Sequence, residues 1–218
     1  MGFTTSTMRV KADFRQNRLL QILLGWYLLF WMIMAISPLD RLDWFIENLL
    51  VFAAASLLVG TYRIFPLSDM SYILITLFMS LHTLGSHWTY SEVPLGFWIK
   101  DAFGFSRNHF DRIVHFSFGL LMAYPIREVF LRVASVRGFW AYYLPFDVTL
   151  AFSGAYEIME WLIASLVSPE AADAWLGTQG DIWDAQKDMG LAAVGALFSM
   201  TTTAILRPWY HRRNRPGS

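Results

Sequence analysis

The chain has 218 residues, of which 56% are hydrophobic and only 16% are charged, and its mean hydropathy is +0.40. Soluble domains usually carry about 25% charged residues, so this composition indicates a membrane protein. The 17 basic and 17 acidic residues cancel, which argues against nucleic acid as a partner. The chain has no cysteine, which excludes disulfides, thiolate metal sites and cysteine nucleophiles.

Six segments meet or approach the roughly 20 helical residues needed to cross about 30 Å of hydrocarbon. The predicted spans are 19–37, 44–61, 70–87, 110–131, 139–167 and 184–206. They form one predicted transmembrane domain at 19–206, preceded by a cytoplasmic segment at 1–18 and followed by a basic cytoplasmic tail at 207–218. The predicted fold class is therefore all-α, a polytopic bundle of about six transmembrane helices in a lipid bilayer.

Basic residues predict the orientation of this bundle. They concentrate in the N-terminal segment, the second-to-third link, the fourth-to-fifth link and the tail, which all lie on one side of six spans. These residues are Arg9, Lys11, Arg15, Arg18, Arg63, Arg127, Arg132, Arg137, Arg207, Arg212, Arg213 and Arg215. By the positive-inside rule, both termini are predicted to be cytoplasmic.

Two outer loops have features of their own. The stretch 87–109 is long and aromatic and is expected to lie along the membrane surface. The string Ser168-Pro169-Glu170 is typical of a helix N-terminus and predicts a short helix at about 169–176.

Ionisable side chains inside a span cost about 2.5–3.5 kcal/mol each on the insertion scale, and here they follow a pattern. Asp111 and His115 are four residues apart and share a helix face. Glu157 and Glu160 share a face of the fifth span, with Ser153 one turn deeper. The alternating direction of the spans places these groups at one depth, in the predicted outer leaflet.

The start of the last span continues this pattern. Asp181, Asp184 and Asp188 form a single stripe, which Ala192 and Gly195 extend toward the membrane centre. Small residues at such positions allow another helix to approach closely. The stripe therefore predicts both a polar site and tight helix packing.

Each group also has an ordinary structural interpretation. Asp111 and Asp184 near helix N-termini are favourable to the helix dipole, and a single His115 is often a packing residue. Glu157 and Glu160 can pair with Arg112 in a structural network. Together, however, about seven acidic and histidine side chains exceed what Arg112 neutralises, so shared protons, a cation or a water-filled cavity is expected.

Four strings in these regions resemble the YjdF family of bacterial inner-membrane proteins. They are His82-Thr-Leu-Gly-Ser-His87-Trp-Thr-Tyr90, Arg107-Asn-His109-Phe-Asp111-Arg112-Ile-Val-His115-Phe116, Glu157-Ile-Met-Glu160-Trp161 and Gly177-Thr-Gln-Gly-Asp181-Ile-Trp-Asp184-Ala-Gln-Lys-Asp188-Met. The resemblance covers roughly 20–206 and implies a multi-pass location in the inner membrane. It implies no activity.

A weaker similarity is to VanZ-like membrane proteins. Asp111-Arg112-x-x-His115 and Glu157 match their pattern, whereas the glycine at Gly190 comes one place early after Asp184. This similarity implies shared architecture and no shared substrate.

Two classes of function remain open at this stage. The first is a metal-assisted hydrolase or transferase for a lipid, lipid-linked or envelope substrate, using zinc or manganese. The candidate metal ligands are His82, Asp111, His115, Glu157, Asp184 and Asp188; the candidate acid–base groups are Asp111, His115, Glu157 and Glu160; the candidate substrate-binding residues are Tyr90, Arg107, Arg112 and Trp161. No established metalloenzyme signature accompanies them.

The second class is a proton- or cation-coupled transporter, or a binding protein for a small envelope molecule. Buried acidic groups serve such proteins, but 218 residues without a visible repeat is small for a carrier. Only Asp147 lies toward the cytoplasmic half. A structural role is a third interpretation, and the sequence leaves the oligomeric state and the substrate open.

Overall fold

The computed structural model describes residues 13–166, 172, 176 and 178–213, with side chains through residue 206. Seven helices longer than one turn lie in these described parts. They are α1 (Arg18–Met34), α2 (Arg41–Tyr62), α3 (Asp69–His87), α4 (Pro94–Phe103), α5 (Phe110–Val133), α6 (Trp140–Ala164) and α7 (Asp184–Arg213). The short helix predicted at about 169–176 lies outside the described residues, apart from Ala172 and Leu176, which are helical.

The outer surface of this bundle is apolar. Among the described helices, α2, α5 and α7 are long and apolar enough to cross a membrane by length and composition, and α1 is apolar over 17 residues. Large apolar side chains such as Ile22, Leu57 and Val59 are at least 66% exposed. Such a surface requires lipid, so the all-α polytopic membrane bundle predicted from the sequence is confirmed.

The helix starts follow local chemistry. Asp40 accepts hydrogen bonds from the backbone of Leu42 and Asp43 and so caps α2. Ser68 caps α3 in the same way. Pro94 occupies the first turn of α4, and Gly104, with φ +67°, ends that helix in the left-handed conformation. The aromatic loop predicted at 87–109 therefore contains a helix of its own.

Helix α5 packs against α3, α6 and α7. Its contact with α7 is at backbone distance, because Gly119 lies against the carbonyl of Ala192 and Gly195 lies against the carbonyl of Phe116. A Cβ atom at either glycine would overlap these carbonyl oxygens. The stripe of small residues in the last span thus has the packing role predicted for it.

Polar contacts join α1, α2 and α3. Asn48 of α2 is fully buried, accepts a hydrogen bond from Trp31 Nε1 at 2.6 Å and donates to Ser86 Oγ at 3.4 Å. Tyr27 of α1 and Thr83 of α3 share a hydrogen bond of 3.0 Å. These contacts hold the three helices in one register beside α5. The end of the bundle where α3 ends and α5 and α7 begin is termed the site end below.

Candidate functional site

Four side chains form a carboxylate–histidine cluster at the site end: Asp111, His115, Glu157 and Asp188. His115 Nε2 lies 3.5 Å from Asp111 Oδ1 and 3.5 Å from Glu157 Oε1. Asp188 of α7 is 2% exposed and His115 is 7% exposed. Three helices, α5, α6 and α7, therefore bring the predicted residues together as the helix-face spacing indicates.

This cluster contains polar atoms without partners. Asp188 Oδ1 and Glu157 Oε1 are buried and accept no hydrogen bond among the described residues. A buried polar atom without a partner costs free energy, and native proteins rarely leave two together. Both atoms belong to the group around His115, so an additional cation or proton donor at this position would satisfy them.

Three side chains of the cluster are spaced closely enough to be candidate metal ligands. One ligand atom each from Asp111, His115 and Asp188 all lie within 4.8 Å of one another. Two ligands that are each about 2.1 Å from a tetrahedral zinc ion lie about 3.4 Å apart. A separation of 4.8 Å would therefore have to shorten by roughly 1.4 Å for the set to close around an ion. Two carboxylates and one imidazole suit zinc or manganese and leave a coordination position open.

Next to this cluster lies a second one, the Glu47–His82 cluster, which also contains Tyr90 and Tyr156. Tyr156 donates a hydrogen bond of 2.7 Å to Glu47 Oε2, and His82 Nε2 lies 3.1 Å from the carbonyl oxygen of Glu47. Tyr90 Oη lies 2.5 Å from His82 Nδ1. The ring of Tyr156 also meets that of His115 edge-on at 6.0 Å, which joins the two clusters.

The turn that carries Tyr90 is strained. Thr89 and Tyr90 both have φ of 50°, a left-handed conformation that side chains with a Cβ rarely adopt. It directs the Tyr90 ring against Gly85, where any Cβ atom would overlap the ring. Burial raises the pKa of the Tyr90 phenol well above its usual value, so this group remains a neutral hydrogen-bond partner of His82.

The arginine cluster forms the rim of the site end. Arg107 binds Asp184 through both terminal nitrogens, at 2.6 and 3.2 Å, and also donates to the carbonyl of Thr178. Arg112 binds Asp181 at 2.5 Å and Asp184 at 3.1 Å. Both arginines are predicted from the sequence to hold a substrate anion, but in the structure they bind carboxylates of the protein itself. Asp184, a predicted metal ligand, forms ion pairs with these two arginines.

Two side-chain amides, one buried and one exposed, position the Arg107 loop. Asn108 is 1% exposed, and its side chain donates to Val93 O and accepts from the backbone of Phe110. The side chain of Gln179 forms two further hydrogen bonds with the backbone of Asn108, at 3.0 and 3.1 Å. The loops before α5 and α7 are therefore fixed to each other, which holds Arg107 beside Asp184.

The remaining predicted residues are placed as follows. Glu160 follows Glu157 by three residues on the same face of α6. His82 belongs to the Glu47–His82 cluster and not to the set of Asp111, His115 and Asp188. Trp161 is 62% exposed on α6 and is not brought together with these groups.

Four residues of the site end are not predicted from the sequence: Glu47, Tyr156, Asn108 and Gln179. Glu47 is a single acidic residue in a predicted span, and that was the one available signal for it.

An all-α bundle with an apolar outer surface and a buried polar site at one end defines a multi-pass integral membrane protein. Residues 19–208 match a family described as "Predicted membrane protein (DUF2238)". The chain belongs to this family, which confirms the YjdF-like resemblance. It is 41% identical over 179 residues to the inner membrane protein YjdF of Escherichia coli (strain K12), covering 82% of this chain and 83% of that protein. No solved structure matches. The predicted inner-membrane location is confirmed.

Proposed function

We propose that this protein is a metal-assisted hydrolase or transferase that acts on a lipid or lipid-linked substrate at the site end. The observation that supports it is the donor set of Asp111, His115 and Asp188, which lies beside two buried carboxylate oxygens, of Asp188 and Glu157, that accept no hydrogen bond among the described residues. By the orientation predicted from the basic residues, the site end faces the outer leaflet.

In this proposal Asp111, His115 and Asp188 hold a zinc or manganese ion. The ion would supply Lewis-acid polarisation of an ester or phosphate oxygen and a water of lowered pKa. Glu157 borders the donor set, 3.5 Å from His115 Nε2, and accepts the proton of the attacking water. Asp184 and its arginines fix the start of α7, and so keep Asp188 in place.

The metal content of detergent-purified protein tests the proposal. We expect about one equivalent of a transition metal in the wild type and its loss in His115→Ala and in Asp188→Asn. Asp147→Asn is the matched control, because Asp147 is an exposed carboxylate of α6; it should keep the metal. Equal metal content in all four proteins would contradict the proposed ligand set, as would its absence from all of them.

The catalytic step requires a separate measurement. Wild-type protein and Glu157→Gln are incubated with bacterial polar lipid extract and the metal found above, and the products are identified by mass spectrometry. We expect new lipid products from the wild type and a loss of about 100-fold or more in Glu157→Gln. The variant should keep its metal.

The alternative is a cation or proton carrier. It is favoured by the adjacency of the two polar clusters, which places Glu47, His82 and His115 in one connected group. A carrier requires groups in the other half as well, and Asp147 is the candidate. Proteoliposomes that accumulate metal or protons, with loss of transport in Asp147→Asn, would favour this alternative over the enzyme.

A further inference from the structure

A groove of about 430 Å³ opens between α2 and α6 at the site end. Its volume lies in the range of small-molecule sites, about 300–1,000 Å³. The walls are apolar side chains of the two helices, including Leu49, Leu50 and Ala53 of α2 and Phe152, Ala155 and Met159 of α6. Leu49 is 50% and Phe152 is 61% exposed, so the groove is open along its side to the surrounding lipid.

The length of the groove matches one leaflet of a bilayer. Its α6 wall runs from Phe152 to Ile163, and eleven residues of helix extend roughly 16 Å at 1.5 Å per residue. Half of a hydrocarbon core of about 30 Å is roughly 15 Å. An extended hydrocarbon chain that lies parallel to its neighbours in the bilayer therefore fits this wall from end to end.

Polar side chains reach the inner wall of the groove, whose surface is mainly apolar. His115 belongs both to this wall and to the carboxylate–histidine cluster, and Glu47, His82 and Tyr156 line the same wall. Ser153, which is 2% exposed, also lines it, and its Oγ has no hydrogen-bond partner among the described residues. An occupant that carries a polar atom would supply the partner that this buried hydroxyl lacks.

We propose that this groove binds one acyl chain of a membrane glycerophospholipid, which reaches it sideways from the bilayer. The chain lies between Leu50 and Phe152, and its ester group faces Ser153 and His115. This assignment deepens the proposed function, since it names the substrate class of that site. It also explains why a polar cluster at membrane depth has one apolar side that opens toward lipid.

The experiment uses wild-type protein in phosphatidylethanolamine–phosphatidylglycerol vesicles that contain a phospholipid with a diazirine in its acyl chain. After irradiation, labelled peptides are mapped by mass spectrometry. We expect the label on residues of α2 and α6 that line the groove, such as Met159. Labels spread evenly over the exposed apolar helices, or concentrated beside α1, would overturn the proposal.

Two substitutions make the test specific. Ala155→Trp fills the groove from α6 and Ala53→Leu fills it from α2, whereas Ala151→Trp places the same bulk one turn away on an exposed position outside the lining. We expect labelling of the groove to fall about tenfold in Ala155→Trp, equivalent to roughly 1.4 kcal/mol of binding. The smaller Ala53→Leu change should lower it in the same direction, and Ala151→Trp should leave it unchanged.

Metal content separates this inference from the proposed function. All three variants should bind metal like the wild type, because none of the substituted residues belongs to the donor set. Groove labelling without any bound metal would leave the acyl-chain site standing and remove the enzyme proposal. Bound metal with labelling that is the same in Ala155→Trp and Ala151→Trp would overturn the acyl-chain site alone.

Discussion

Carboxylates shielded from solvent differ in their hydrogen bonding between the two ends of the bundle. At the end away from the site, Glu128 of α5 accepts hydrogen bonds from Ser68 Oγ at 2.7 Å, Ser71 Oγ at 2.6 Å and Arg132 at 2.6 Å, and also from the backbone of Ser68. At the site end, Asp188 is more deeply buried, yet its Oδ1 has no hydrogen-bond partner in the described part of the chain.

The difference separates a structural carboxylate from a functional candidate. Glu128 ties the start of α3 to the end of α5, and its partners account for its position without a ligand. Asp188 is more deeply buried, which raises its desolvation cost, and its Oδ1 has no hydrogen bond among the described residues to compensate. The contrast between satisfied and partnerless carboxylates, more than the number of acids, is what identifies the carboxylate–histidine cluster as a site.

The largest loss of stability is expected from a substitution in the arginine cluster. This cluster lies at the site end, but its charged groups have ion-pair partners, as Glu128 does. In Arg107→Met, the buried Asp184 loses both contacts with Arg107 and, among the described residues, keeps the ion pair with Arg112 at 3.1 Å. Leaving a buried charge without its main partner costs about 3 kcal/mol. Thermal unfolding in detergent, followed by tryptophan fluorescence, should show a clear loss of stability. Unchanged stability would mean that the arginine serves a ligand instead of the fold.

The next largest effect on stability is expected when Glu128 and Asp188 are each replaced by the corresponding amide. Glu128→Gln should destabilise the protein by about 2 kcal/mol, because several hydrogen bonds lose their charged acceptor, while metal content stays unchanged. Asp188→Asn should lose the metal and leave the stability of the metal-free protein within about 1 kcal/mol, since no hydrogen bond to Asp188 Oδ1 is broken. The comparison fails if Asp188→Asn is the less stable of the two without metal.

The smallest effect on stability is expected at the contact between Asp181 and the exposed Lys187. Hydrogen bonds from Lys187, from the backbone of Trp183 and from Arg112 hold the pKa of Asp181 below its usual range. A lowered carboxyl pKa stabilises the folded state above the ordinary value of about 3.9, and that contribution is lost as pH falls through the folded-state pKa.

We therefore expect Lys187→Met to lower the Tm by less than about 2 °C at pH 7. The further decrease in Tm between pH 7 and pH 3 should be smaller in this variant than in the wild type. Thermal unfolding measured between pH 7 and pH 3 checks this. Lys100→Met, which removes a lysine standing over the Phe97 ring, is the matched control. A Tm difference between Lys187→Met and wild type that grows as the pH falls would contradict the assignment.

Much of the fold was predictable from the sequence, because membrane helices are specified by long apolar segments. The pairing of Asp111 with His115 was predictable as well, since residues four apart on a helix are neighbours. The stripe from Asp188 to Gly195 predicted that another helix approaches the last span closely, and in the structure that helix is α5. Local spacing and hydropathy were sufficient for each of these features.

The Glu47–His82 cluster was not predictable in this way. Glu47 and its partner Tyr156 are 109 positions apart, so no local spacing connects them. The strained turn at Thr89 and Tyr90 similarly has no glycine to signal its left-handed backbone. These features depend on how helices are arranged in three dimensions, which periodicity does not specify.

The glycine contacts between α5 and α7 have a consequence for how the family can diversify. Asp111 and His115 lie on one of these helices and Asp188 on the other, so the spacing of the donor set depends on two backbones in direct contact. A side chain at Gly119 or Gly195 would overlap the backbone of the other helix, so both positions must stay glycine for this spacing to hold. Substitutions along the open edge formed by α2 and α6 are free of that restriction. Evolution can therefore alter which molecule is accepted at that edge while the spacing of the donor atoms stays the same.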